Sequence, residues 1–280
     1  MTSVGQVTLA DIAYPRGVIM RRFQCALLAA VAVIGFASVA SAADMPVKAP
    51  AYIAPYNWTG WYGGANVGYG FGTNTINYGP LDPVPSSILG FVSPQLADDP
   101  KGFLGGLQLG ANKQVGNIVY GVETDISYSQ IRDSVSGPLI ISTFVTSGQQ
   151  KLDWFGTLRA RLGIVMLDRS LIYATGGLAY GRATLSANTI DNVSVGGCAS
   201  ISNFCTIGSA ERWMAGWTIG GGWEYAFASN WSAKFEYLYY DLGSISATMP
   251  DPNGLAITFQ GSTDVKGNIV RAGLNYKFGM

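Results

Sequence analysis

Two neighbouring stretches decide the fold: WMAGWTIGGGWEY at residues 213–225 and WSAKFEYLY at residues 231–239. In both, large apolar residues alternate with small or polar ones, which is the period-two pattern of a β-strand with two unlike faces. A short turn at residues 227–230 joins them, so together they predict an antiparallel hairpin. One face is rich in aromatic residues, and the other carries Glu224, Lys234 and Glu236.

The same alternation continues on both sides of this hairpin and predicts eight strands in total. The six further strands are predicted near residues 59–71, 102–112, 118–129, 152–162, 171–182 and 270–278. Long connections are predicted at residues 74–100, 132–150, 184–211 and 243–263, and they alternate with short turns. Even strand number and alternating loop length are typical of an outer-membrane barrel. The predicted fold is all-β, a transmembrane eight-stranded antiparallel up-and-down β-barrel over residues 58–278.

Composition fits this class better than it fits a soluble enzyme. Among 280 residues there are 37 glycines, only 12% charged residues, a net charge of zero and no histidine. A neutral chain without a basic stripe gives no case for nucleic acid. Without histidine, a G-x-S-x-G elbow or a Cys/His metal set, we expect no catalytic residues, no cofactor and no metal.

The N-terminal part carries an export signal. Residues 20–42 combine a basic start, an apolar run and an Ala-Ser-Ala ending, which predicts a cleaved signal peptide. Residues 1–19 precede it and are interpreted as a spurious upstream extension. Residues 43–57 contain three prolines and are interpreted as a periplasmic linker.

The aromatic residues predict two belts at the membrane interfaces. If the N-terminus is periplasmic, the aromatic side chains of the outer face sort by height into two groups, and Trp217 lies between them. The periplasmic belt includes Trp61, Trp223, Trp231 and Phe278, and the external belt includes Trp154 and Trp213.

Charged residues on the other face should point into the barrel. The predicted interior charge network consists of Glu123, Asp125, Arg159, Arg161, Glu224, Lys234, Glu236 and Arg271. Buried charges persist when paired, and an eight-stranded barrel is just wide enough for its own side chains. We therefore expect a largely plugged interior. A small-solute porin is the alternative, and an exported lipocalin-like carrier, apolar inside, is a second one.

Two cysteines remain after the signal peptide. Cys198 and Cys205 lie in one predicted external loop and pass through an oxidising compartment, so we expect a disulfide between them.

Several segments resemble the small outer-membrane proteins of alphaproteobacteria, which include the major surface antigens of Brucella and their rhizobial relatives. The segments are YNWTGWYGG (56–64), GVETD (121–125), WFGTLRARLG (154–163), YATGGLAY (173–180), GGWEY (221–225) and VRAGLNYKF (270–278). The resemblance implies an OmpA-like barrel, a structural surface protein sometimes called a porin, without catalytic residues. The expected partners are outer-membrane lipids, lipopolysaccharide, the barrel-assembly machinery and extracellular ligands of the four long loops.

Overall fold

Alternating residues along the chain form β-strands that join into one antiparallel sheet. The computed structural model describes residues 55–81, 95–138, 144–191, 205–251 and 258–278, all within the compact unit Ile53–Met280. Its strands are β1 (Gly60–Phe71), β2 (Asn74–Pro80), β3 (Gln95–Asp98), β4 (Lys101–Val115), β5 (Ile118–Pro138), β6 (Phe144–Met166), β7 (Ser170–Asp191), β8 (Cys205–Ala226), β9 (Trp231–Pro250) and β10 (Thr258–Phe278). In these ranges no helix is long and apolar enough to cross a membrane.

The sheet closes because its first strand pairs with its last. β1 pairs with β4 on one side and with β10 on the other, from Trp61 opposite Phe278 to Phe71 opposite Asn268. β2 pairs with β10 and with β3, so β1 and β2 form one interrupted barrel strand, and β3 and β4 form another. Within the described ranges the ten segments therefore make eight barrel strands. The predicted fold class is confirmed.

Glycines allow the crowded inner wall to form. A β-carbon on Gly106 would lie 2.0 Å from the carbonyl oxygen of Ile126, and one on Gly220 would lie 2.0 Å from that of Tyr237. No side chain fits at such a separation, so glycine is required where neighbouring strands approach this closely.

The prediction of four long external loops was wrong in extent. β5 continues to Pro138 and β6 begins at Phe144, so most of the predicted loop 132–150 is strand. Strands also extend into the other three predicted loops: β7 and β8 into residues 184–211, β9 and β10 into residues 243–263, and the short β2 and β3 into residues 74–100. We call the part of the barrel built from these added lengths, beyond the external aromatic belt, the outer extension.

The added strand lengths escaped the sequence pattern because their polarity is reversed. Along β9, Leu238 and Leu242 are buried inside the barrel, whereas Tyr237 is exposed. Gly243 then adopts a φ of +81°. Before it the even-numbered residues of β9 are buried, whereas beyond it the odd-numbered Ile245 is buried. The exposed face of the outer extension is mostly polar, and an apolar core that includes Leu185, Ile245 and Met249 lies inside it, as water outside the membrane favours.

Candidate functional site: the barrel interior and its aromatic belts

The aromatic residues form two rings on the outside of the barrel. On the side of the N-terminus, Trp61 is paired across the sheet with Phe278, and the rings of Trp231 and Tyr276 lie 5.1 Å apart. The aromatic side chain of Trp223 stacks on that of Tyr225, two residues along β8 in the same belt, with the ring centres 6.0 Å apart. The exposed aromatic side chains predicted for this belt are Trp61, Trp223, Trp231 and Phe278.

A second ring lies at the other end of the apolar surface. Tyr69 contacts Phe103 edge-on at 5.1 Å, and Tyr128 contacts Trp154 at 5.6 Å. Trp213 is exposed opposite Arg182. Between the two rings the exposed residues are apolar, including Val67, Leu107, Val122, Leu158, Ile219 and Phe235. An apolar band bounded by two aromatic girdles is the surface that a bilayer requires.

Inside this band the structure brings all eight of the predicted charged residues into one network. Glu123 is at its centre, since its Oε1 lies 2.6 Å from Arg159 and 2.7 Å from the Lys234 ammonium. Arg159 also binds Glu236 at 2.9 Å and Asp125 at 3.3 Å.

Arg271 and Arg161 complete the network. Arg271 lies 2.6 Å from Glu236 and 3.1 Å from Asp125. Arg161 binds Glu224 at 2.7 Å. The eight residues are four carboxylates and four cations, and their side chains are at most 3% exposed. Because the charges balance and every charge has a partner, the cluster can exist in an interior without water.

Several uncharged side chains of this network were missed by the sequence reasoning, among them Ser232 and Asn275, which donate to Glu224, and two tyrosines and a threonine. Tyr62 donates a hydrogen bond of 2.7 Å to Glu123 and accepts one of 2.9 Å from Arg161. The Arg161 guanidinium also lies 4.0 Å from the ring centre of Tyr173, and the Thr157 hydroxyl donates to Asp125. The alternation of β1 already placed Tyr62 on the inward face, so its position was readable. Tyr173 lies on β7, where apolar residues occupy both alternating positions, so the sequence does not show which face points inward.

Above the charged network the interior is closed by an apolar core. Phe155 and Tyr240 contact each other at 5.0 Å, and both are buried. The core continues into the outer extension with Ile131, Leu152, Leu185, Leu238, Leu242, Ile245, Met249 and Ile269. Charged and apolar layers therefore follow one another along the barrel axis.

The N-terminal end of the barrel is closed by residues that precede β1. The backbone N–H of Trp58 donates to Gln114 at 2.8 Å, and that of Tyr56 donates to the carbonyl oxygen of Asp168 at 3.0 Å. Both aromatic side chains are buried against Leu171. Tyr56, which belongs to the predicted linker, thus packs at the mouth, whereas residues 43–54 lie outside the described part of the chain.

One carboxyl group of the outer extension stands apart from the network. Asp98 is fully buried on β3, and within the described residues neither of its carboxylate oxygens has a hydrogen-bond donor. Burial, followed by the nearby charge of Asp133, raises the pKa of Asp98 to about 7. In the described ranges no group of three or more His, Cys, Asp or Glu residues could hold a metal ion.

The predicted disulfide lies at the limit of what the structure describes. Cys205, the first residue of β8, is disulfide-bonded. Cys198 lies outside the described residues, so its pairing with Cys205 stays a prediction.

The closed sheet, the apolar band and the two girdles define a transmembrane β-barrel of the outer-membrane class. The chain belongs to the family of outer-membrane proteins with a β-barrel domain, because the model described as "Outer membrane protein beta-barrel domain" matches residues 29–278. It is an integral protein of the outer membrane. A lipocalin-like carrier would need a polar outside and an apolar inside, and the belt region has the reverse.

Known proteins support this assignment along nearly the whole chain. The 31 kDa outer-membrane immunogenic protein of Brucella melitensis is 37% identical over 258 residues, which is 90% of this chain and 98% of that protein. The 25 kDa outer-membrane immunogenic protein of Brucella abortus is 29% identical and covers 92% of this chain and 100% of that protein. The crystal structure of OprG from Pseudomonas aeruginosa shares the fold, with a TM-score of 0.51, 12% identity and 81% of this chain covered, against 100% of that chain.

Proposed function

We propose that this protein is a structural, surface-exposed barrel whose interior does not conduct solutes and has no catalytic role. The observation that carries the proposal is the filled interior. Four carboxylates and four cations are mutually paired across the barrel, and an apolar core lies directly above them. An eight-stranded barrel has room for such side chains but not for a wide channel as well.

The lengths of the connections between strands support an orientation of the barrel in the membrane. Both described chain ends, near residues 55 and 278, lie at one end, with the turns that join β4 to β5, β6 to β7 and β8 to β9. Short turns are typical of the periplasmic side, and long extensions are typical of the cell exterior. We therefore assign the outer extension to the exterior, where it can meet extracellular ligands.

Export and assembly are further proposals. Residues 20–42 are proposed to direct export and then be removed, with residues 1–19 as an upstream extension and residues 43–57 as a periplasmic linker. N-terminal sequencing of the mature protein should then begin at Ala43. The barrel-assembly machinery is the proposed partner for insertion, and β10, which ends in the aromatic Phe278, is the proposed recognition strand.

Planar-bilayer recording tests the closed interior. The refolded wild-type protein should show no steady openings. The variant Arg159→Ser/Glu236→Ser, which empties the centre of the network, should also stay closed, because the apolar core around Phe155 and Tyr240 still fills the interior above it. The matched control Trp217→Leu changes only the lipid-facing side. Steady wild-type openings that pass small sugars would contradict the proposal and favour the small-solute porin.

A further inference from the structure

A short segment that precedes β1 crosses the barrel mouth on the side of the N-terminus. We call this segment, residues 55–59, the strap; none of it is strand. The N–H of Tyr56 donates to the carbonyl oxygen of Asp168, in the turn between β6 and β7, at 3.0 Å. The ammonium of Lys277 on β10 donates to the carbonyl oxygen of Asn57 at 2.5 Å. Because β10 and the β6–β7 turn lie across the barrel from each other, the strap is tied to opposite sides of the rim.

Two aromatic side chains of the strap fill the mouth. Tyr56 and Trp58 are buried and contact each other edge-on, with their ring centres 4.8 Å apart. Both belong to a small apolar cluster with Val119 and Leu171. The Lys277 ammonium lies 4.3 Å from the ring centre of Tyr56, which is a cation–π contact. Burial of the two rings is the main contribution that keeps the strap in place.

Beneath the strap lies a small polar chamber. Its volume is about 10 Å³, which is room for about one water molecule. On the side of the barrel its lining includes Asn112, Glu224, Ser232 and Asn275. Glu224 is also a member of the charge network, through its ion pair with Arg161. The chamber therefore connects the mouth to the charged network, and it is nearly filled while the strap is in place.

The closed strap leaves two buried polar atoms of this chamber unpaired. Within the described residues, neither the indole N–H of Trp58 nor the side-chain oxygen of Asn112 has a hydrogen-bond partner. A buried polar atom without a partner costs free energy, and so does the ordering of a segment that has no ladder. Release of the strap removes both costs, because water then reaches the two atoms. These costs oppose ring burial, so the strap can open while the barrel ladder stays intact.

The two ends of the interior differ in how they accommodate water. From the mouth to the charged network the chamber is lined by polar side chains, which give water hydrogen-bond partners. Beyond the network the apolar core around Phe155 and Tyr240 offers none. Water that passes the strap is therefore stopped at the core.

We propose that the strap is a gate, and that its release opens a dead-end vestibule for water and small ions that ends at the charged network. The vestibule does not become a channel, because the apolar core closes its inner end. The inference rests on the proposed function, in which that core seals the interior. In the proposed orientation the gate faces the periplasm.

Thiol labelling in nanodiscs tests the gate. Ser232→Cys, in a background without the native cysteines, places a thiol in the chamber, and a small water-soluble methanethiosulfonate reagent should label it slowly. Adding Lys277→Met removes one tie of the strap and should accelerate labelling about tenfold, since a hydrogen bond from a charged group contributes a factor of that order or more. The matched control Lys113→Met changes an exposed lysine at the same end of the barrel and should leave the rate within about twofold. Equal rates in all three proteins would overturn the gate.

A second thiol position separates this inference from the proposed function. Leu238→Cys lies in the apolar core on the same strand as Ser232, and it should stay unlabelled with or without Lys277→Met. Labelling at this position would contradict the sealed core and with it the proposed function. If neither position is labelled in the folded protein but both are labelled after denaturation, the vestibule alone is refuted.

Hydrogen exchange of the unaltered protein gives a readout that needs no variant. The backbone N–H of Trp58, which is bonded to Gln114, should exchange at least about a hundredfold faster than the N–H groups in the middle of β1, because opening of the strap breaks no ladder bond. Exchange of both at the same rate would show that the strap leaves only when the barrel unfolds, and would overturn the proposal.

Discussion

Replacing Arg159 with methionine should destabilise the barrel severely. Its guanidinium binds Glu123 at 2.6 Å, Glu236 at 2.9 Å and Asp125 at 3.3 Å, and its side chain is fully buried. Methionine keeps most of the volume but removes the charge, so the interior would hold four carboxylates and only three cations.

The expected loss is large because the remaining charges cannot reach water. Removing one partner of a buried ion pair costs about 3–5 kcal/mol. Lys234 and Arg271 still contact Glu123 and Glu236, so we expect the lower part of that range, about 3 kcal/mol. The double variant Arg159→Met/Glu236→Gln restores the charge balance and should recover about 1–2 kcal/mol of the loss.

Urea unfolding in lipid vesicles, followed by tryptophan fluorescence and by the mobility of unboiled samples, measures these differences. The matched control is Arg182→Gln, which breaks an ion pair with Glu211 whose side chains are 42% and 47% exposed. That pair should contribute less than about 1 kcal/mol. If Arg159→Met costs no more than Arg182→Gln, the interior contains water and the network does not seal it.

Three further predictions concern Asp98 in the outer extension, Gly106 in the inner wall of the barrel, and the two cysteines. Asp98 keeps its proton up to about pH 7 in the folded protein but loses it above about 3.8 when unfolded, so stability should fall as pH rises between these values. Asp98→Asn should abolish that slope, and urea midpoints between pH 4 and 8 measure it; an unchanged slope would place its origin elsewhere. Gly106→Leu should prevent folding, seen as loss of heat-modifiable migration, because its β-carbon would lie 2.0 Å from a backbone oxygen. Unreduced tryptic peptides should contain Cys198 linked to Cys205 and lack two thiol hydrogens, whereas alkylation of both in native protein would exclude the bridge.

The sequence predicted the membrane-spanning part well because lipid imposes a simple rule there. Outward residues must be apolar, so the parity of Trp231, Phe235 and Tyr237 also indicates which face carries Lys234 and Glu236. Once the alternation shows which residues point inward, the charged side chains among them lie close to one another, because the barrel is narrow. Their mutual pairing therefore follows from alternation and size.

The outer extension could not be predicted by the same rule. Beyond Gly243 the apolar residues, such as Ile245 and Met249, point inward, so a search for an apolar outer face ends at the membrane surface. Serine-rich stretches also resemble loops in composition, although the sheet ladder from Arg132 to Pro138 keeps them in strands. The reversal of polarity depends on which solvent surrounds each height of the barrel, and no local pattern records that.

Spin-label accessibility along β9 tests most directly the claim that one closed barrel crosses the membrane and is sealed inside. Single cysteines from 231 to 250, in a background without the native cysteines, would be probed with oxygen and with a water-soluble nickel complex. Odd positions from 231 to 239 should be accessible to oxygen, and even positions beyond 243 to nickel. Inward positions such as Leu238, Leu242 and Ile245 should be accessible to neither. Nickel access at Leu238 and Leu242 would reveal a water-filled channel and contradict the account.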